Sequence, residues 1–127
     1  MPREKSLEGV EEQTGPTLTR AFLDNFRDAV KSSEPGENLP TLATIFREAE
    51  YCWLKRLGVD LKDLLHVDQI YEYVEPFQEN DSTYMATRVV RYRERTSGSF
   101  LVLQTDISGG SRRKCISTTT FMIRGKG

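Results

Sequence analysis

Apolar residues recur with a helical period in two early stretches and with a period of two over the second half of the chain. From Thr41 to Leu57 they fall at Leu42, Ile45, Phe46, Ala49, Cys52, Trp53 and Leu57. That is the i, i+3, i+4, i+7 spacing of a helix with one buried face, and Gly58 follows as a stop. At 100° per residue these side chains lie within about 80° of one direction. Glu48 and Glu50 fall on the two borders of that stripe, with Arg47, Tyr51 and Lys55 opposite. An earlier helix is predicted from about Pro16 to Lys31, capped by Thr14, with Leu18, Ala21, Phe22, Phe26, Ala29 and Val30 in one stripe. Residues 32–40 hold Ser32, Ser33, Pro35, Gly36 and Pro40 and read as a loop.

Beyond the second helix the pattern changes. Four strands are predicted, His66–Pro76, Thr83–Arg95, Ser99–Ser108 and Arg113–Arg124. Phe77–Ser82 supplies the first turn, and Thr96-Ser97-Gly98 and Gly109-Gly110-Ser111 supply the next two. Consecutive hairpins predict an antiparallel meander. A helix over residues 41–57 spans about 25 Å, and a nine-residue strand about 30 Å. A sheet of that length can curl around the helix along its whole extent. The expectation is one α+β domain over residues 16–127, preceded by a charged, flexible tail over residues 1–15.

Composition narrows the classes without naming one. The chain has 127 residues, 37% hydrophobic and 29% charged, which suits one ordered domain. Lys+Arg 18 against Asp+Glu 19 gives a net charge of -1, so no global field recruits nucleic acid. No apolar run approaches the roughly 20 residues that span a bilayer, and residues 1–15 lack the apolar segment of a secretory signal. Cys52 and Cys115 are expected to be reduced, buried thiols of a soluble cytoplasmic protein.

Candidate chemistry is sparse. His66 is the only histidine; with Asp68 two residues on along the same strand face, it reads as a structural residue at a strand start. No zinc-ligand spacing, serine-nucleophile elbow or glycine-rich phosphate loop is present, so no metal and no cofactor are expected. Arg91, Arg93 and Arg95 share a strand face, one hairpin from Arg112, Arg113 and Lys114. They are candidates for docking coenzyme phosphates or an acidic carrier protein, against the alternative of a solvated face. Glu48 and Glu50 are candidates for acid–base work, against the alternative of solvent-facing helix borders.

Several passages together resemble a known family. They are Leu-Pro-Thr-Leu at 39–42, Leu-Gly-Val-Asp-Leu-Lys-Asp-Leu-Leu-His at 57–66 and Tyr-Glu-Tyr-Val-Glu-Pro-Phe-Gln-Glu-Asn-Asp at 71–81. Thr-Arg-Val-Val-Arg-Tyr-Arg-Glu-Arg at 87–95 and Ser-Thr-Thr-Thr-Phe-Met-Ile-Arg at 117–124 complete the set. From Leu39 to Ile123 the chain resembles the MaoC-like dehydratases of the hot-dog fold, and most nearly the N-terminal, non-catalytic half of fatty-acid-synthase-like dehydratases. The resemblance implies a sheet wrapped around a central helix, dimer assembly and a thioester of coenzyme A or acyl carrier protein as ligand. Family members use an Asp and a His five residues apart, and this chain lacks that motif, so no catalytic residue carries over. It implies a substrate-shaping subunit of a (3R)-hydroxyacyl dehydratase, paired with a catalytic hot-dog subunit. Leu42, Phe46 and Trp53 are then candidates to line an acyl pocket. Two alternatives stay open: a hot-dog thioesterase using Glu48 or Glu50, and a non-enzymatic helix-plus-curved-sheet binding domain.

Overall fold

A computed structural model of the chain describes residues 9–36 and 40–125. In chain order it contains β1 (Glu11–Thr17), α1 (Arg20–Ala29), a 3₁₀ segment (Pro40–Phe46), α2 (Arg47–Arg56), a short 3₁₀ turn (Leu61–Asp63), β2 (Leu64–Tyr73), β3 (Ser82–Arg95), β4 (Gly98–Gly109) and β5 (Arg112–Arg124). All strands are antiparallel, in the order β1-β3-β4-β5-β2.

The four expected strands form, and β3, β4 and β5 make the expected meander. β2 departs from it. Instead of pairing with β3 across the turn at 77–82, it crosses to the far side of the sheet and pairs with β5. The crossing segment is fixed by Lys114, a buried ammonium lying 3.6 Å from Glu75 and 3.7 Å from Asp81. Two carboxylates compensate a charge that burial would otherwise expel.

The N-terminal region also departs from expectation. Residues 11–15, expected in a flexible tail, belong to β1, which adds to the free edge of β3. The Thr83 hydroxyl donates to the Pro16 carbonyl at 2.5 Å, and Pro16 is tolerated because β1 is an edge strand. The first helix therefore begins later, with Thr19 rather than Thr14 as its cap, accepting from the Phe22 amide. Residues 1–8 lie outside the described part.

The expected helix over 41–57 is two segments. Its first part, with β-branched Thr44 and Ile45, is 3₁₀, and only Arg47–Arg56 is α-helical. A 3₁₀ turn advances about 120° per residue where an α-helix advances 100°. Four such steps from Leu42 to Phe46 add about 80° and rotate the buried face of everything downstream. Ala49, Glu50, Trp53 and Leu54 point inward as a result, while Cys52 is exposed. The stop at Gly58 is as expected: it takes φ 90°, and the Val59 amide bonds back to the Leu54 carbonyl, six residues closing the end.

One face of the sheet receives α2. From Ser99 onward β4 alternates between buried and half-buried positions, as a strand with one covered face must. Bulges shift this alternation at Val90 in β3, at Val67 in β2 and at Lys114 in β5. The bulge at Val67 separates His66, which faces inward opposite Phe121, from Asp68, which pairs with Thr120 on the outer face. The two side chains expected to share a face are thus on opposite faces.

At the hairpin between β3 and β4, the loop is only Thr96 and Ser97, because Arg95 pairs with Gly98. A Cβ at Gly98 would stand 2.6 Å from the Ile123 carbonyl oxygen of β5. Gly98→Ala is expected to lower stability by about 2 kcal/mol in urea denaturation, by forcing β4 and β5 apart. Ser97→Ala in the exposed loop is expected to change it by less than about 0.5 kcal/mol.

Candidate functional site

The core between α2 and the sheet is divided. One apolar cluster contains Leu18, Leu42, Phe46, Phe77 and Met85. The other contains Trp53, Leu54, Leu101, Phe121 and Ile123. Between them runs a belt of hydroxyls from neighbouring strands. Thr87, Thr105 and Ser117 lie side by side in register on β3, β4 and β5, with Thr119 one inward position further along β5. All four are buried.

Glu50 projects from α2 into this belt and is only 1% exposed. Its Oε1 lies 3.0 Å from the Thr105 hydroxyl and 3.2 Å from that of Thr119. Thr105 in turn lies 2.9 Å from the Thr87 hydroxyl. Burial raises the Glu50 carboxyl to about 7, against smaller lowering effects from the Thr119 and Thr105 hydroxyls and the Arg47 charge. Neither border position of the expected helix describes this residue. Glu48 is exposed, whereas Glu50 is the most deeply buried carboxyl among the described residues.

The belt continues toward the surface. Thr119 lies 2.9 Å from Gln69 Oε1 on β2. Gln69 donates its amide protons to the Ser117 hydroxyl at 2.7 Å and the Thr118 carbonyl at 3.3 Å. Its Oε1 also lies 3.1 Å from His66 Nε2. Arg47 Nη2 reaches His66 Nδ1 at 3.1 Å and donates to the Tyr51 hydroxyl at 2.6 Å. A guanidinium only donates, so Nδ1 is the accepting nitrogen in this contact and Nε2 is the one turned to Gln69. The lone histidine ends a polar chain that sequence spacing had not exposed.

Proton counting along the chain assigns the state of Glu50. Thr119 has one hydroxyl proton and faces two oxygens, those of Glu50 and Gln69, neither of which has a proton to give while Glu50 is ionised. A proton on Glu50 Oε1 removes the conflict. Thr87 then donates to Thr105, Thr105 to Glu50, Glu50 to Thr119 and Thr119 to Gln69. Each group gives one proton and the chain runs one way.

The other expected site residues are scattered. Leu42, Phe46 and Trp53 are all buried, but Trp53 belongs to the second cluster and the other two to the first. Phe46 lines a cleft of about 230 Å³ between β1 and α2, together with Gln13, Ile45, Glu48, Cys52 and Met85. Arg91, Arg93 and Arg95 are exposed along β3. Their register partners Val102, Phe100 and Gly98 include the half-buried, outward positions of β4, so the arginines lie on the face of the sheet away from α2. Of the cysteines, Cys115 is buried with its thiol raised to about 11 by desolvation. No helix among the described residues is long and apolar enough to cross a membrane.

A helix laid on one face of a five-stranded antiparallel sheet in this order is the architecture of hot-dog dehydratases. The chain belongs to the FAS1-like dehydratase domain region family, whose model matches residues 37–113. No curated protein matches it. Among solved structures it is similar to the Mycobacterium tuberculosis HadBC (3R)-hydroxyacyl-ACP dehydratase complex, with TM-score 0.69, 15% identity, 89% of this chain and 95% of that chain covered. It is also similar to HtdX of the same organism, with TM-score 0.70, 17% identity and 91% of this chain covered, and it spans only 51% of that chain. The M. tuberculosis ChsH1-ChsH2 complex gives TM-score 0.66 at 7% identity, over 94% of this chain and 86% of that one. The MaoC-like hot-dog resemblance of the sequence therefore stands.

The buried carboxyl makes a pH prediction. Glu50 binds its proton more tightly when folded, up to about 7, than its ordinary value of 4.5. Its contribution to stability is complete below pH 4.5 and is lost as pH rises through 7, a loss of about 3 kcal/mol. Denaturation at pH 5 and pH 8 should show this decline in the native protein and its near absence in Glu50→Gln. An equal decline in both would assign it to other groups.

Proposed function

We propose that this chain is the non-catalytic, substrate-shaping subunit of a (3R)-hydroxyacyl thioester dehydratase, acting in the cytoplasm beside a catalytic hot-dog subunit. The observation that carries this reading is the combination of dehydratase-family membership with the position of the only histidine. His66 sits on β2, tied to Arg47 and Gln69, with Asp68 turned to the other face. An Asp/His pair cannot be assembled from these residues. Heteromeric assembly of two structural relatives, HadBC and ChsH1-ChsH2, supports a partner, as does the match to about half of HtdX.

The partner surface fits the β2 edge. β2 is the last strand of the sheet and presents Leu65, Val67 and Ile70 at 60%, 49% and 49% exposure. A long edge with free ladder groups and apolar side chains is unstable in water and is ordinarily covered. The cleft beside Phe46 supports an acyl slot, where each buried CH₂ is worth about 0.8 kcal/mol. Arg91, Arg93 and Arg95 supply charge for a coenzyme or acidic carrier on the outer face.

Purified alone, the chain is expected to show no hydration of crotonyl-CoA, and to co-purify with and activate a hot-dog subunit bearing the Asp/His pair. Ile70→Glu on the β2 edge should weaken that pairing by about 2 kcal/mol. Robust turnover by the isolated chain would refute the reading. A second reading, acyl thioester hydrolysis, is favoured by one observation, the titration of Glu50 near neutrality where a general base works best. It attaches to Glu50 alone, and free-thiol release from acyl-CoA that survives Glu48→Ala and fails in Glu50→Gln would select it.

A further inference from the structure

Among the described residues four buried polar side-chain atoms lack a hydrogen-bond partner: Arg47 Nε, Glu50 Oε2, Tyr71 OH and Tyr92 OH. The first three belong to one corner of the molecule. Arg47 and Glu50 are one helical turn apart on α2 and so share a face. Tyr71 is on β2 opposite Ser117, which pairs with the Thr105 that holds Glu50. Arg47 acts electrostatically on both of the others, and Glu50 on Tyr71. A buried polar atom without a partner costs about 1–3 kcal/mol, and three such atoms on neighbouring, electrostatically coupled residues point to one shared partner.

The chemistry of that partner follows from the three atoms. Arg47 Nε–H can only donate. With the Glu50 proton engaged toward Thr119, its Oε2 is a bare carbonyl oxygen that can only accept. The Tyr71 hydroxyl can do either. One group must therefore accept from Arg47 and donate to Glu50. A carboxylate or a doubly ionised phosphate monoester has no proton to give, an ammonium has no lone pair, and an apolar group has neither. A hydroxyl has both.

We propose that Arg47, Glu50 and Tyr71 form a buried site for one neutral hydroxyl group, supplied either by an ordered water or by the alcohol of a bound ligand. The site is distinct from the cleft beside Phe46, whose lining includes none of the three residues. It also gives the hydroxyl belt a purpose beyond holding Glu50: the belt orients the carboxyl proton away from Oε2 and leaves that oxygen open to a donor.

The experiment is a high-resolution crystal structure of the chain in plain buffer, joined to calorimetry with two thioester probes, 3-hydroxybutyryl- and butyryl-N-acetylcysteamine. An oxygen peak within hydrogen-bond reach of all three atoms, with equal binding of the two probes, establishes the site with water as its occupant. Preference of about tenfold for the hydroxylated probe, lost in Tyr71→Phe, establishes it with a ligand alcohol. Tyr71→Phe removes only the hydroxyl, and a matched circular dichroism spectrum and melting temperature keep its result interpretable. No peak together with no preference overturns the proposal, as does a bound carboxylate in the same position. The ligand-alcohol arm rests on the thioester reading, whereas the peak is read from this chain alone and survives if no catalytic partner exists.

Discussion

A carboxyl group at the centre of an apolar core is tolerable only where the surface opposite meets it with hydrogen-bonding groups. Here that requirement ties the helix to the sheet in one register. Glu50 finds hydroxyls on β4 and β5, and those hydroxyls lie between two apolar clusters that each fill one end of the helix–sheet interface. Sliding α2 by one turn would carry Glu50 into hydrocarbon and bring Trp53 or Phe46 onto the belt. Apolar packing alone tolerates many such slides. The belt removes them, which is the role a buried polar group performs best.

The same arrangement gathers unpartnered polar groups within the helix–sheet interface. The helix N-terminal turn, the inner face of β2 and the belt converge on groups with unspent hydrogen-bonding capacity. The charged residues most conspicuous in the sequence, Arg91, Arg93 and Arg95, are elsewhere, on the outer face. The polar chemistry of the interior was written in threonines, a glutamine and a glutamate that look unremarkable one at a time.

Much of the fold was legible in the order of residues. Period-two runs located β3, β4 and β5 to within a few residues, since each alternates against a single covered face, and Gly58 marked the helix end. Three features were not legible, each for a physical reason. The pairing of β2 with β5 is a contact between segments some fifty residues apart, and local pattern carries no record of such a choice. β1 contains Gly15 and Pro16, residues that argue against a strand except at an edge, and an edge is a property of the sheet. The burial of Glu50 depends on the 3₁₀ geometry before α2, because a projection at 100° per residue through Pro40–Phe46 accumulates the wrong angle. Of the candidate site residues, Glu50 was named for acid–base chemistry with the wrong surroundings, while Arg47 and Tyr71 carried no signal at all.

The bulge in β2 has its own evolutionary meaning. Val67 is opposed by no residue of β5, since His66 and Asp68 take the consecutive partners Phe121 and Thr120. It is a spare link in an otherwise regular strand. Removing it would let the two halves close up with His66, Gln69 and Tyr71 still turned toward the helix, whereas losing a residue after the bulge would swap every inward side chain for its neighbour. A lineage shortening this strand has one tolerated place to do so, and the length of β2 among relatives should vary there first.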